Sequence, residues 1–386
     1  MVRGPRLRYN PASSSKWQPR RTKEWTSLLS KLLFPGLLPT WALFTEMALS
    51  ALVVILAGSR LTRMADTMAT RLNLASGWIG LLLLATVTSL PELVTGGTAT
   101  AMGNVDLALG AIFGSCCFNI TIIVLLNALW GGESVLGSVS PSHSLTSSFG
   151  ILLIGEALLG MVLMENSPPA PQYAPLFEVG WALLIAVTYL VSMRLVYNFE
   201  KRLLQRATPE TVRMRVGRKF YARLFITTLI LIVASWWLTQ LGDTLSTHEI
   251  EMIGRPLGAT FVGACFLALA TSLPEIATSV AAVRIGNLDL ALGNIFGSNM
   301  FNIFVIPILK AVSLCTGQDR LLAGDAYRGS GNLIAGLLAV LLTAIALGAL
   351  TYKSKRRMLR RFGLDSILIA IIYAGGMILL VGHGGN

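Results

Sequence analysis

Residues 80–120, GLLLLATVTSLPELVTGGTATAMGNVDLALGAIFGSCCFNI, and residues 263–303, GACFLALATSLPEIATSVAAVRIGNLDLALGNIFGSNMFNI, align without a gap at a constant offset of 183, with 24 of 41 positions identical. Shared hydrophobicity does not produce that. The common residues include TSLPE (88–92 and 271–275), GN-x-DLALG (103–110 and 286–293) and GS-x-x-FNI (114–120 and 297–303). Most of them are polar, glycine or proline residues set in apolar surroundings. Such a duplication is the mark of a chain built from two related halves.

Working outward, the 386 residues are 54% apolar and 13% charged, with a mean hydropathy of +0.67. That composition demands lipid as the solvent for most of the chain. Crossing a hydrocarbon core takes roughly 20 apolar residues. Ten such runs fall near 41–58, 78–102, 105–130, 148–165, 176–193, 222–241, 257–283, 288–313, 332–350 and 364–382. The runs are continuous, which implies helices rather than the short alternating strands of a barrel. The expected fold is therefore all-α: a polytopic membrane protein of about ten transmembrane helices. The first repeat occupies spans two and three and the second spans seven and eight. Five crossings separate them, an odd number, so the two five-helix halves enter the bilayer with inverted orientation.

The net charge of +12 is concentrated beside the spans. Lys201, Arg202, Arg206, Arg213, Arg215, Arg218, Lys219 and Arg223 lie between spans five and six, and six basic residues from Lys353 to Arg361 lie between nine and ten. This placement reads as topology, with both loops and Arg60, Arg63 and Arg71 cytoplasmic, and not as a nucleic-acid surface. The organisation expected is a basic tail (1–40), a first half (41–193), a basic cytoplasmic linker (194–221) and a second half (222–386). The tail should resist translocation, yet ten spans put it outside. Residues 25–40 form an extra crossing or a surface helix, or the tail is translocated, or it is a cleavable presequence. Cys116, Cys117 and Cys265 fall in spans and read as small packing residues.

An ionised carboxylate in the apolar interior costs at least about 2.5–3.5 kcal/mol on insertion scales. Glu92 and Glu275 therefore need a reason. Pro91 and Pro274 precede them, and a mid-helix proline frees backbone oxygens, here near Val87 and Ala270. With Thr88, Ser89, Thr271 and Ser272 these form a set of hard oxygen donors suited to calcium or sodium. Ser115 and Asn119, like Ser298 and Asn302, lie four apart on one helical face. Gly110, Gly114, Gly293 and Gly297 keep the same spacing and would let that helix pack closely on its partner. Glu46 and Glu156 lie in spans outside the repeat and read as structural partners or secondary proton groups. Asp106 and Asp289 follow Gly-Asn-x at a turn, which favours helix capping.

Two inverted copies of TSLPE and GS-x-x-FN resemble the α-repeats of the calcium/cation antiporter superfamily, which includes sodium/calcium exchangers. The resemblance implies that Glu92 and Glu275 are the central calcium ligands, with the backbone carbonyls of Thr88 and Thr271. It implies that sodium uses Ser89, Ser115, Ser272 and Ser298 with the carbonyls of Ala85 and Ala268, and that Asn119 and Asn302 flank the middle position. The chain departs from the pattern at Asn302, where many sodium/calcium exchangers carry an acid, at Cys116, where the second copy has Asn299, and at Val87.

The implied function is secondary active exchange of Ca2+ for Na+ by alternating access, with proton/calcium antiport and a cation channel as the other readings. No HExxH, serine elbow or phosphate loop points to an enzyme. The expected partners are inorganic cations and membrane lipids, not nucleic acid. No cofactor is implied beyond the transported Ca2+ and Na+ or H+. The expected location is a bacterial inner or plasma membrane, crossed many times.

Overall fold

In the computed structural model of the protein, the described residues are 40–103, 105–130, 134–166, 169–170, 172–207, 216–247, 249–250, 255–256, 271–317, 331–353 and 362–383. The chain divides into two compact units, Met1–Thr45 and Glu46–Asn386. Of the first, only the start of a helix is described; every other described element belongs to the second.

The described chain is helical: α1 (Thr40–Leu72), α2 (Ser76–Thr88), α3 (Leu90–Ala101), α4 (Val105–Leu129), α5 (Ser142–Asn166), α6 (Ala174–Ala207), α7 (Arg218–Thr247), α8 (Leu273–Arg284), α9 (Leu288–Thr316), α10 (Gly331–Tyr352) and α11 (Leu364–His383). A two-residue antiparallel ladder, Glu249–Ile250 with Arg255–Pro256, follows α7. Seven of these helices are long and apolar enough to cross a bilayer, α2 and α3 together make an eighth, and α11 is a shorter apolar helix. This is an all-helical, multi-pass integral membrane protein. Of the span read at 257–283, residues 257–270 lie outside the described residues, and α8 is its visible part. Helix α6 continues past residue 193 into the segment read as linker, carrying Lys201 and Arg202 on an extra turn and more. Leu, Lys, Arg and Gln are strong helix formers, so nothing in that stretch stops the helix.

The span read as continuous over 78–102 is two helices meeting at a 41° bend. Ser89 leaves helical geometry (φ −91°, ψ 6°), and α3 starts anew at Leu90 with Pro91 in its first turn. Pro91 thus opens a helix instead of kinking one, the position where a missing N–H is least costly. The second repeat does the same: Ser272 has φ −94° and ψ 6°, and α8, like α3, runs for 12 residues. Both helices end in a turn closed by a glycine at φ +80°, Gly103 and Gly286, a conformation that L side chains rarely adopt. The 183-residue repeat is therefore a repeat of backbone geometry as well as of sequence.

Helix α9 lies at the centre, with 72% of its apolar window enclosed, against 22% for α1 at the periphery. Hydrophobic force does not join helices in lipid, so close van der Waals approach must. Glycines supply it where α2 crosses α9. A Cβ on Gly293 would stand 2.3 Å from the Gly77 carbonyl oxygen, one on Gly80 2.4 Å from that of Leu290, and one on Gly297 2.7 Å from the Cα of Leu81. The π-helical turn Gly80–Leu84 within α2 falls at this crossing, a local widening often found at functional sites. Helix α6 is pinned to α9 by a buried ion pair, Lys310 Nζ to Glu178 Oε2 at 2.5 Å.

Candidate cation site

The N-terminal ends of α3 and α8 hold the two glutamates. Ser89, Leu90, Pro91 and Glu92 occupy the cap and first turn of α3, and Ser272 to Glu275 do so for α8. Helix starts leave N–H groups unpaired and carry partial positive charge, which favours a carboxylate there. Each glutamate's own amide N–H faces its carboxylate. Neither serine caps its own helix. Ser89 Oγ instead reaches across to the other half and donates to Glu275 Oε1 at 3.2 Å.

Glu92 is 3% exposed and Glu275 fully buried. They stand near enough for their charges to repel. Neither oxygen of Glu92 closes a hydrogen bond, although the Ser115 hydroxyl lies beside it, and Oε2 of Glu275 also has none. Both polar atoms of the Asn302 side chain and Oδ1 of Asn119 are buried and unpaired as well. A buried polar atom without a partner costs about 1–3 kcal/mol, and more when charged. Several oxygens of this kind converging from two helix starts form a set of unpartnered hard donors, which is what a desolvated cation requires.

Several of the sequence-predicted residues stand beside the two glutamates or beside one another. Thr88 lies beside Glu275, and its hydroxyl is 3.3 Å from that of Ser298. Ser115 neighbours Glu92, Asn302 neighbours Cys116, and Asn119 Nδ2 donates to Asn299 Oδ1 at 3.1 Å. Ser272 and Ala85 are buried, and Thr271 is partly buried at the end of the described segment. Ala268 and Ala270 lie outside the described residues. Glu156 behaves as a structural partner in one respect, its Oε1 accepting from Thr188 Oγ1 at 3.3 Å.

One reading needs correction. Asp289 does not cap α9; Asn287 does, accepting from the Leu290 N–H at 3.0 Å. Asp289 instead accepts from the Ser140 N–H (2.8 Å) and lies 3.0 Å from His143 Nε2, both of the other half. Asp106 accepts from Asn332 Nδ2. Sequence reasoning also missed Asn294. Its amide donates to Thr278 and Ser279, both at 2.9 Å, and so fixes α8 against α9 beside Thr88. Its counterpart in the first copy is Ala111, so the repeat gave no signal.

At the centre, Asn299 Nδ2 donates to the Cys116 carbonyl at 3.1 Å, and the Cys116 thiol points to the Asn299 carbonyl at 3.8 Å. These positions are 183 apart, the repeat offset. Equivalent residues touching reciprocally is what a two-fold axis between the halves requires.

The sequence pattern of the family described as Sodium/calcium exchanger protein matches residues 43–198 and 219–382. The chain belongs to the sodium/calcium exchanger family. Among relatives of this exchanger-family chain, CaxA of Alkalimonas amylolytica is 28% identical over 305 residues, covering 77% of this chain and 88% of its own. Sodium/calcium exchanger MaX1 of Methanosarcina acetivorans is 25% identical over 291 residues, covering 67% of this chain and 79% of its own. The solved structure of the sodium-calcium exchanger NCX_Mj soaked with Na+ and Ca2+ superposes with a TM-score of 0.63 at 17% identity, over 88% of this chain and 99% of that one. That likeness establishes the exchanger fold.

Proposed function

We propose that this exchanger-family chain is a secondary active antiporter that carries Ca2+ against Na+ by alternating access. The observation that carries the reading is the pair of buried glutamates, one from each inverted half, whose oxygens find almost no hydrogen-bond partners. Two carboxylates balance one divalent ion, and calcium takes 6–8 oxygens. Glu92 and Glu275 are the central calcium ligands, joined by the backbone carbonyls of Thr88 and Thr271. Ser89, Ser115, Ser272 and Ser298, with the carbonyls of Ala85 and Ala268, serve sodium, and Asn119 and Asn302 flank the middle. Ser89 spends its proton on Glu275; a cation on that oxygen would turn the hydroxyl so that a lone pair faces the ion. Two uncompensated carboxylates are costly to enclose in a dry interior, which couples the conformational change to ion occupancy.

Proton/calcium antiport is the second reading, favoured by Asn119 and Asn302 standing where a third carboxylate would give a sodium-type pocket. Calcium uptake into proteoliposomes, driven separately by a sodium gradient and by a pH gradient, decides between them. Uptake uphill under the sodium gradient is the expected result. Flux that only ever runs downhill makes the protein a channel instead. Glu92→Gln and Glu275→Gln keep shape and hydrogen-bonding capacity while removing one charge, and each is expected to abolish uptake in a folded protein. Undiminished uptake in both variants would sink the site assignment.

A further inference from the structure

Helices α1 and α7 meet where Thr227 Oγ1 approaches Met64 Sδ at 3.9 Å, and beside that contact a groove of about 520 Å³ opens between them. Its lining is of two kinds: Val53, Leu56, Ile226 and Ile230 are apolar and 40%, 61%, 55% and 47% exposed, and Arg60, Arg63 and Arg223 are basic. Among the described residues, no acidic side chain lines the groove and no salt bridge engages these arginines. In both helices the arginines sit where the apolar stretch gives way to charge, the level at which lipid headgroups lie.

We infer that this groove is a binding site for one anionic phospholipid, its acyl chain along the apolar walls and its phosphate against the three arginines. Charge complementarity selects the occupant. A zwitterionic lipid brings a cationic group to a cluster that is already positive, and a guanidinium fork matches phosphate oxygens in pairs. The chain's own residues 1–39 carry eight Lys or Arg against a single Glu, which makes them a poor fit to the same surface. Both helices that the lipid would bridge bear on α8. Gly58 of α1 abuts Ala277 and Thr278, Thr62 Oγ1 donates to the Thr278 carbonyl at 3.1 Å, and α7 packs on α3 and α8. Lipid binding itself does not depend on which cation is carried.

The test is native mass spectrometry of the full chain, titrated in detergent with phosphatidylglycerol or with phosphatidylcholine. One phosphatidylglycerol should be retained in preference to phosphatidylcholine, and the Arg60→Gln/Arg63→Gln/Arg223→Gln variant should weaken it on the order of a hundredfold. Lys201→Gln/Arg202→Gln, whose residues lie on α6, should leave retention unchanged. Ile226→Trp should block retention by filling the groove with all three arginines intact, and it decides the matter if the triple variant fails to fold. Equal retention of the two lipids, undiminished retention in both groove variants, or retention of neither lipid because a segment of the chain closes the groove, overturns the proposal.

Discussion

Lys310 and Glu178 are each almost wholly buried, on helices of which one is the core of the molecule. Removing either member leaves the other charge buried without its ion-pair partner. Lys310→Met or Glu178→Gln alone should lower stability by about 3–5 kcal/mol, while Lys310→Met with Glu178→Leu should recover most of it. Thermal unfolding in detergent checks this, and equal losses in single and double variants would show that the pair is not a unit. Glu92 and Glu275 were legible because duplication separated them from chance. Lys310 was not, because 183 residues earlier stands Asn127, which bonds Ser366 instead. Single-copy residues such as Asn294 and Lys310 become visible only through the neighbours that folding gives them.

Among elements, the α2–α9 crossing has the least spare room. Adding one methyl at Gly80 or Gly293 drives it into a backbone carbonyl that no rotamer change can move. Gly80→Ala and Gly293→Ala should each cost about 1–3 kcal/mol, whereas Gly180→Ala on α6, with open space around it, should be nearly neutral or slightly stabilising. Comparable unfolding temperatures for all three would contradict the close crossing. Glycine spacing announced tight packing of α9, but the partner helix is a tertiary fact that periodicity does not carry. The broken span was half visible. TSLPE signals a proline, and the structure shows Ser, Pro and Glu at the cap, second and third positions of a new helix, the arrangement of a helix start. What the string withholds is that the cap hydroxyl is diverted to a carboxylate of the opposite half.

For the whole molecule that diversion is asymmetric. Ser89 donates to Glu275, yet Glu92 receives nothing from Ser272. Exchanging the conformations of two inverted halves produces the opposite-facing state, in which Ser272 should donate to Glu92 and Ser89 should let go. Ser89→Ala should therefore shift the population away from the present state and Ser272→Ala toward it, each by about 1–2 kcal/mol or roughly 5- to 30-fold. Distances between spin labels on exposed helix ends would register shifts of opposite sign; shifts of the same sign would refute the exchange of roles. The duplicated sequence makes the inversion readable, but not which half holds which conformation, since that depends on differences between the copies.

One such difference lies on the axis itself, where Cys116 and Asn299 each reach the other's backbone carbonyl, one with a thiol and the other with an amide. When the halves trade conformations, Cys116 inherits the surroundings of Asn299, and a weak donor takes the place of a strong one. If the halves trade conformations in this way, the two ends of the cycle are unequal in energy even with no ion on either side, and this mismatched pair is one source of a preferred resting orientation.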